Sequence, residues 1–290
     1  MRDLLTSFLA VAQRALSGAP VQLWFQWFLV GAVIETIVQR PTARESFRRY
    51  AVNVGYSLIY LAAIFLLAPT AYTLVASIRD AVGLHGLMKL HFFDGPGLVN
   101  QLAVFTLYFC ILDFFQYWWH RAQHRFPILW DQHVVHHSDE ALNVTTATRH
   151  HWTEFLFQAF AIALPLTMLF DITPASAGIV ALIFGAWQFF VHLNVPLHLG
   201  PIAWLIAGPQ VHRIHHSSLK EHRDKNFAAY LPIWDVLFGT YHHPKRKEFP
   251  PTGADGVKLE TVWSLSVHPF RRWGWRLARR WVRARSRQVA

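Results

Sequence analysis

Apolar residues run in long blocks through the first two thirds of the chain and give way to basic and aromatic residues near its end. A membrane span needs about 17–25 mostly apolar residues. Blocks of that kind fall at 21–38, 54–76 and 99–119, with two shorter ones at 155–170 and 175–191. The short pair reads as a tightly connected hairpin turning at 171–174. No Gly- and Ser-rich stretch marks a flexible linker, and no separate soluble domain is expected before residue 200. The pattern predicts an all-α, polytopic membrane helical bundle of about four to five spans. In the tail, Phe270, Trp273, Leu277, Trp281 and Ala284 recur at helical spacing, with Arg271, Arg272, Arg276, Arg279, Arg280, Arg283 and Arg285 between them. That is the signature of an interfacial helix lying on anionic headgroups.

Composition agrees with the pattern. The chain is 53% hydrophobic and 15% charged, against about 25% charged in soluble domains. Its net charge of +10 does not point to nucleic acid, because the arginines flank apolar spans or cluster in the tail. The positive-inside rule accounts for them. Arg40, Arg44, Arg48 and Arg49 follow the first span, and Arg121, Arg125 and Arg149 follow the third. Arg213, Lys220, Arg223, Lys225, Lys245 and Lys247 populate the last third, while only Arg79 and Lys89 lie between spans two and three. The basic segments are therefore expected on the cytoplasmic side. Arg2, Asp3 and Arg14 bracket a short apolar stretch without a clear cleavage region, so the first spans are expected to serve as the insertion signal. The single cysteine, Cys110, excludes an intrachain disulfide and any thiolate-dominated metal site.

Histidine changes the picture, with 18 residues against 17 Asp plus Glu. His120-Arg-Ala-Gln-His124 has i, i+4 spacing. His133-Val-Val-His136-His137-Ser138 and His212-Arg-Ile-His215-His216-Ser217 repeat an i, i+3, i+4 spacing. On a helix each box lies on one face. Neutral imidazole is a common ligand for Zn, Cu, Fe and Ni. Eight boxed histidines exceed the four ligands of a structural zinc site, so a two-metal centre is expected. His192, where the fifth apolar block ends, is the candidate ninth ligand. His151 is a further candidate, as ligand or as a donor behind one. Two spans separate His120–His151 from His192–His216, an even number, so both groups return to one face and can meet.

Other histidines take blander readings. His198, His222, His242 and His243 read as surface groups or supporting hydrogen bonders, and His85, His91 and His268 lie far from the boxes. Asp113, two helical turns before His120, is costly inside a span and is expected to accept a hydrogen bond from a ligand imidazole. Glu154, Asp224, Asp131, Asp139 and Glu140 could act likewise. The Glu-x-x-His pattern of soluble di-iron bundles is absent.

From Asp113 to Thr240 the chain resembles the fatty acid hydroxylase and sterol desaturase superfamily. The resemblance rests on Asp113-Phe-Phe-Gln-Tyr-Trp-Trp-His120 and the three boxes, on Asn143-Val-Thr-Thr, Arg149-His-His151-Trp-Thr-Glu154 and His192-Leu-Asn194, and on Asp224-Lys-Asn226-Phe227 and Trp234-Asp235-Val-Leu-Phe238-Gly239-Thr240. Trp152 departs from the proline common after the histidine that matches His151. The resemblance implies two non-haem irons that activate O₂ to hydroxylate or desaturate a lipid C–H bond. His120, His124, His133, His136, His137, His212, His215 and His216 would be the ligands, and His192 also matches. No cytochrome b5-like module precedes the spans, so electrons are expected from a separate ferredoxin- or cytochrome b5-like donor. The chain then divides into an N-terminal transmembrane region (1–98), a fatty acid hydroxylase-like catalytic region with the hairpin (99–243) and a basic tail (244–290). The chain's shortness favours a bacterial inner membrane over the endoplasmic reticulum. A zinc-dependent lipid hydrolase, a non-catalytic metal-binding or transport protein and a vestigial assembly factor remain as alternatives.

Overall fold

The computed structural model of the chain describes residues 19–39, 43–84, 86–90, 97–172 and 174–288. His85, His91, Arg40, Thr173 and residues 1–18, which figure in the expectations above, lie outside them. The described residues are mostly helical. Helices α1 (Ala19–Gln39), α2 (Ala43–Val82) and α3 (Leu98–Arg125) come first, followed by the short α4 (Pro127–His137). After a 3₁₀ turn at Val144–Thr148, α5 (Glu154–Gln158) continues through a π-helical turn into α6 (Leu164–Leu169). Helices α7 (Pro174–Val191), α8 (Pro209–His215), α9 (Ile233–Leu237) and α10 (Val262–Gln288) complete the order.

The segments Phe47–Val82 and Leu98–Arg125 are long and apolar enough to cross a membrane, and Leu23–Val38, Glu154–Leu169 and Ser176–Val191 are shorter apolar helices. In the most apolar window of the first segment only 11% of residues are buried. Its apolar surface therefore faces outward, as a lipid-facing helix requires, rather than into a soluble core. At 1.5 Å per residue, the 22 steps from Leu98 to His120 cover about 33 Å, one hydrocarbon thickness. Box one thus sits a full membrane depth from the start of α3.

Two short strands not foreseen from the sequence, β1 (Met88–Leu90) and β2 (Phe170–Ile172), pair in parallel with Met88 opposite Phe170. They close the end of the bundle where α2 finishes and α3 begins. Beside them, Leu90, Tyr108, Leu112, Ile162, Leu166 and Val180 pack into one apolar cluster that joins α3, α6 and α7.

The opposite end is polar and tightly cross-linked. Phe126 takes an extended conformation and ends α3, and Pro127 opens α4 at its first turn, where the missing N–H costs nothing. Box two therefore follows box one after a sharp reversal. Arg149, 4% exposed, holds the end of α4. Its guanidinium donates to the carbonyls of Val135 and Leu259, to Asn53 Oδ1 and to Ser138 Oγ at 2.7–3.0 Å. Glu35 on α1 accepts the backbone N–H groups of Val144 and Asn194, both at 2.7 Å, and a hydrogen bond from the Tyr50 hydroxyl. It ties the 3₁₀ turn to the segment just after His192.

Helix α10 starts earlier than the tail pattern suggests. Leu265 is fully buried against Tyr56, Val135 and Leu259, while Trp275, Leu277, Trp281 and Val282 farther along are exposed. Asp131 pairs with Arg272 and Arg276 across the α4–α10 contact. Asp139 instead takes Asn53 and Thr146, and Glu140 stands beside Arg49 and Lys258. None of these three acids reaches a boxed histidine.

Replacing Arg149 with leucine strands several buried acceptors. The expected destabilisation is about 3 kcal/mol or more, read as a lower thermal midpoint of the detergent-solubilised protein.

Candidate metal centre

The boxes meet, and they sort into two nests. His120, His124, His133, His137 and His215 form one, and His136, His192, His212 and His216 form the other, each with ring nitrogens within 4.8 Å of one another. Nε2 separations in the first nest are 3.0 Å for His120–His133, 3.2 Å for His124–His137 and 3.1 Å for His137–His215. In the second they are 3.2 Å for His136–His192, 3.0 Å for His192–His212 and 3.1 Å for His212–His216. The nests adjoin, with the His137 and His216 rings stacked at 4.3 Å.

Helix geometry explains the sorting. Residues i and i+4 differ by about 40° around a helix, whereas i+3 and i+4 differ by about 100°. Box two therefore sends His133 and His137 to the first nest and His136 to the second. Box three does the reverse, sending His212 and His216 to the second nest and His215 to the first. Each triplet serves both nests.

Three of the rings are held from behind by backbone carbonyls, which can only accept. Nδ1–H of His120 donates to the Phe227 carbonyl at 2.6 Å and that of His215 to the Lys225 carbonyl at 2.8 Å. His192 donates likewise to the Gln188 carbonyl at 2.6 Å. A carbonyl fixes the proton on Nδ1, which leaves a lone pair on Nε2 pointing into the nest. The loop supplying Lys225 and Phe227 is shaped by Asp224 and Asn226, both left-handed (φ 58° and 56°), a conformation that Asp and Asn tolerate best among non-glycine residues. The Asp235 carboxylate pins the loop by accepting the N–H groups of Phe227 and Ala228, each at 2.8 Å. No side-chain motif announces these backbone carbonyls; the Asp-Lys-Asn-Phe string is the only sequence trace of them.

The predicted acids divide. Asp224 Oδ1 lies 3.4 Å from His124 Nδ1, and Glu154 Oε1 lies 3.5 Å from His133 Nδ1. Asp113 does not touch a boxed imidazole. It accepts the Leu231 N–H at 2.9 Å and so anchors the segment that leads into α9. His151 belongs to neither nest. Its Nδ1 meets Thr153 Oγ1 at 2.7 Å and its Nε2 donates to the Ser266 carbonyl at 3.1 Å, so it ties α10 to the turn before α5. Its neighbour His150, which belongs to none of the three boxes, stacks on His136 at 4.2 Å and 15° and reaches Glu154 Oε2 at 3.3 Å. Adjacent residues on a turn point apart, and spacing alone does not tell which faces inward. His198 braces a loop through the Pro244 carbonyl and the Gly200 N–H.

The donors fit metal ions. Metal–imidazole bonds of about 2.1 Å place neighbouring nitrogens about 3.0 Å apart in an octahedron and about 3.4 Å in a tetrahedron. The observed spacings match. Burial drives the rings of His133, His136, His137, His212, His215 and His216 below their ordinary pKa, because desolvation penalises the imidazolium. That favours the neutral form, which ligation requires. A cavity of about 320 Å³ opens beside the first nest, lined by His124, Trp130, His137, His215, Ser217 and Asp224 among others. Its wall combines helix residues of α3, α4 and α8 with the loop residues that follow α8.

A family model described as fatty acid hydroxylase matches residues 105–240, which carry both nests and their supporting loop. Residues 105–240 belong to the fatty acid hydroxylase family. Alkylglycerol monooxygenase of Danio rerio is 38% identical over 154 residues, 53% of this chain and 33% of that protein. The Xenopus tropicalis alkylglycerol monooxygenase is 36% identical over 141 residues, 49% and 31%. Ornithine lipid hydroxylase OlsE of Rhizobium tropici is 33% identical over 168 residues, 57% and 49%. The matched part thus spans about a third to a half of these relatives' own length. No solved structure matches significantly.

Two outcomes follow for the fatty acid hydroxylase domain. Below the ordinary histidine value of 6.5, the unfolded chain binds protons that the folded, metal-free domain refuses. Stability of the metal-free domain is therefore full above that pH and falls as the solution is acidified below it, as a thermal melt against pH will read. Replacing Asp224 with asparagine or Glu154 with glutamine weakens orientation behind a nest and lowers metal affinity about 10- to 100-fold, as measured by competition with a chelator.

Proposed function

We propose that the chain is a multi-pass membrane enzyme that hydroxylates a lipid C–H bond with O₂ at a non-haem di-iron centre. The observation that carries this reading is the pair of adjoining nests built from nine imidazoles. His120, His124, His133, His137 and His215 would hold one iron, and His136, His192, His212 and His216 the other. When bound, the irons would supply the O₂ chemistry: two electrons from a separate donor protein and two protons accompany insertion of one oxygen atom into the C–H bond, and the other leaves as water. The protein's part is to hold neutral imidazoles in fixed tautomers and to keep bulk water from the nests.

Hydroxylation is preferred to desaturation because the relatives cited above are named monooxygenase and hydroxylase. Their names also favour a substrate with a polar head, a glycerol ether or an amino-acid lipid, over a sterol. Region 99–243 would be the catalytic part, opening on the cytoplasmic face by the positive-inside argument, in a bacterial inner membrane. The exposed Trp275, Leu277 and Trp281 of α10, set among arginines, would rest on anionic headgroups.

The first measurement is the metal content of detergent-purified protein after anaerobic reconstitution with iron. Near two irons per chain, with reductant-dependent O₂ uptake and a hydroxylated product from ether or ornithine lipids, is the expected result. Replacing His136 or His215 with alanine should abolish product while the protein stays in the membrane. Tightly held zinc that iron cannot displace, without O₂ uptake, would overturn the reading in favour of a hydrolase.

A further inference from the structure

Outside the two nests, three donors from two segments converge at His222, His242 and Glu248, with their ligand atoms within 4.8 Å of one another. His222 Nε2 lies 3.1 Å from Glu248 Oε1 and His242 Nε2 lies 3.4 Å from the same oxygen. The two rings meet edge to face at 4.7 Å. These separations equal those between neighbouring ligands around one ion with bonds of about 2.1 Å. Each donor is also oriented from behind. His222, 3% exposed, has Nδ1 against Ser217 Oγ at 2.9 Å, which directs Nε2 at the carboxylate. The Lys245 N–H donates to Glu248 Oε2 at 2.8 Å, and His242 Nε2 stands 3.4 Å from both carboxylate oxygens, so Oε1 is the oxygen that both rings share.

The cluster is joined to both ends of the box-three helix α8. Ser217 follows His216, the last residue of box three. At the other end, Gln210 Nε2 donates to the carbonyls of Lys245 and Glu248 at 2.8 and 2.6 Å, two residues before His212. A cation bound here would clamp the first turn of α8 and the turn after the helix onto one point.

We propose that His222, His242 and Glu248 form a third metal site, separate from the nine histidines, that takes a divalent cation of the zinc or ferrous class and braces α8. Two imidazoles and one carboxylate suit such ions, and three protein ligands leave positions for water. The partly exposed His242 and Glu248 make the site open to exchange, unlike the buried nests. The inference goes beyond the lipid hydroxylase reading and does not need iron in the nests.

The test uses the full chain in detergent, stripped by a chelator and titrated with Zn²⁺ against a chromophoric competitor. Wild type is compared with His242→Ala, His242→Gln and Glu248→Gln, each also carried in a His136→Ala background. The site predicts one fewer equivalent of Zn²⁺ in every single variant, and the same loss again in the His136→Ala background. It also predicts a smaller rise in thermal midpoint on Zn²⁺ addition, with the metal-free midpoint close to that of wild type. Equal stoichiometry in wild type and in the folded variants would overturn the proposal and leave a hydrogen-bonded brace. A failure of the hydroxylase reading would appear separately, as nests that hold no iron or take up no O₂.

Discussion

Nine imidazoles share one small buried volume, and the rest of the domain is arranged around that constraint. Nitrogen lone pairs about 3 Å apart repel unless a proton or a cation lies between them. Protons are costly there, because burial disfavours every imidazolium in boxes two and three. Cations coordinated by the lone pairs would resolve the conflict. The carbonyls of Gln188, Lys225 and Phe227 fix which nitrogen of three rings is available. Glu154 and Asp224 stand behind two more.

The scaffold meets this demand by tying distant segments together at the polar end. Glu35 joins α1 to the 3₁₀ turn and to the residues after His192. Arg149 joins α2, α4 and the approach to α10. Asp131 then fastens the arginine face of α10 to the helix that carries box two. Each tie is a buried or half-buried polar group satisfied by several partners, so that removing one strands others. The other end, with its short parallel strand pair, is held mainly by apolar packing of Leu90, Leu112, Ile162, Leu166 and Val180.

Much of this was legible beforehand. The apolar blocks located the helices that run through the bundle, and box spacing placed the eight boxed histidines on common helical faces. His192 was marked by its position where an apolar block ends. Less legible was the choice between His150 and His151, since both sit in one irregular turn where no periodicity assigns a face. Asp113 shows the same limit. A buried acid two turns from His120 invites a role behind a ligand, yet the backbone of Leu231 folds back and takes its oxygen first. Its helical face was predictable and its partner was not, because the partner is more than a hundred residues away in sequence.

By itself the sequence determined which residues are ligand types, that they fall on helical faces, and that the chain is apolar enough for lipid. Those are local properties, set by side-chain chemistry and by a helical repeat that holds wherever the helix is placed. Only the tertiary structure decided how the histidines divide between two nests, because the division depends on the rotation of α4 and α8 against each other. It also decided the supporting shell of backbone carbonyls. Every residue has a carbonyl, and only the path of the chain selects the three that turn toward an imidazole.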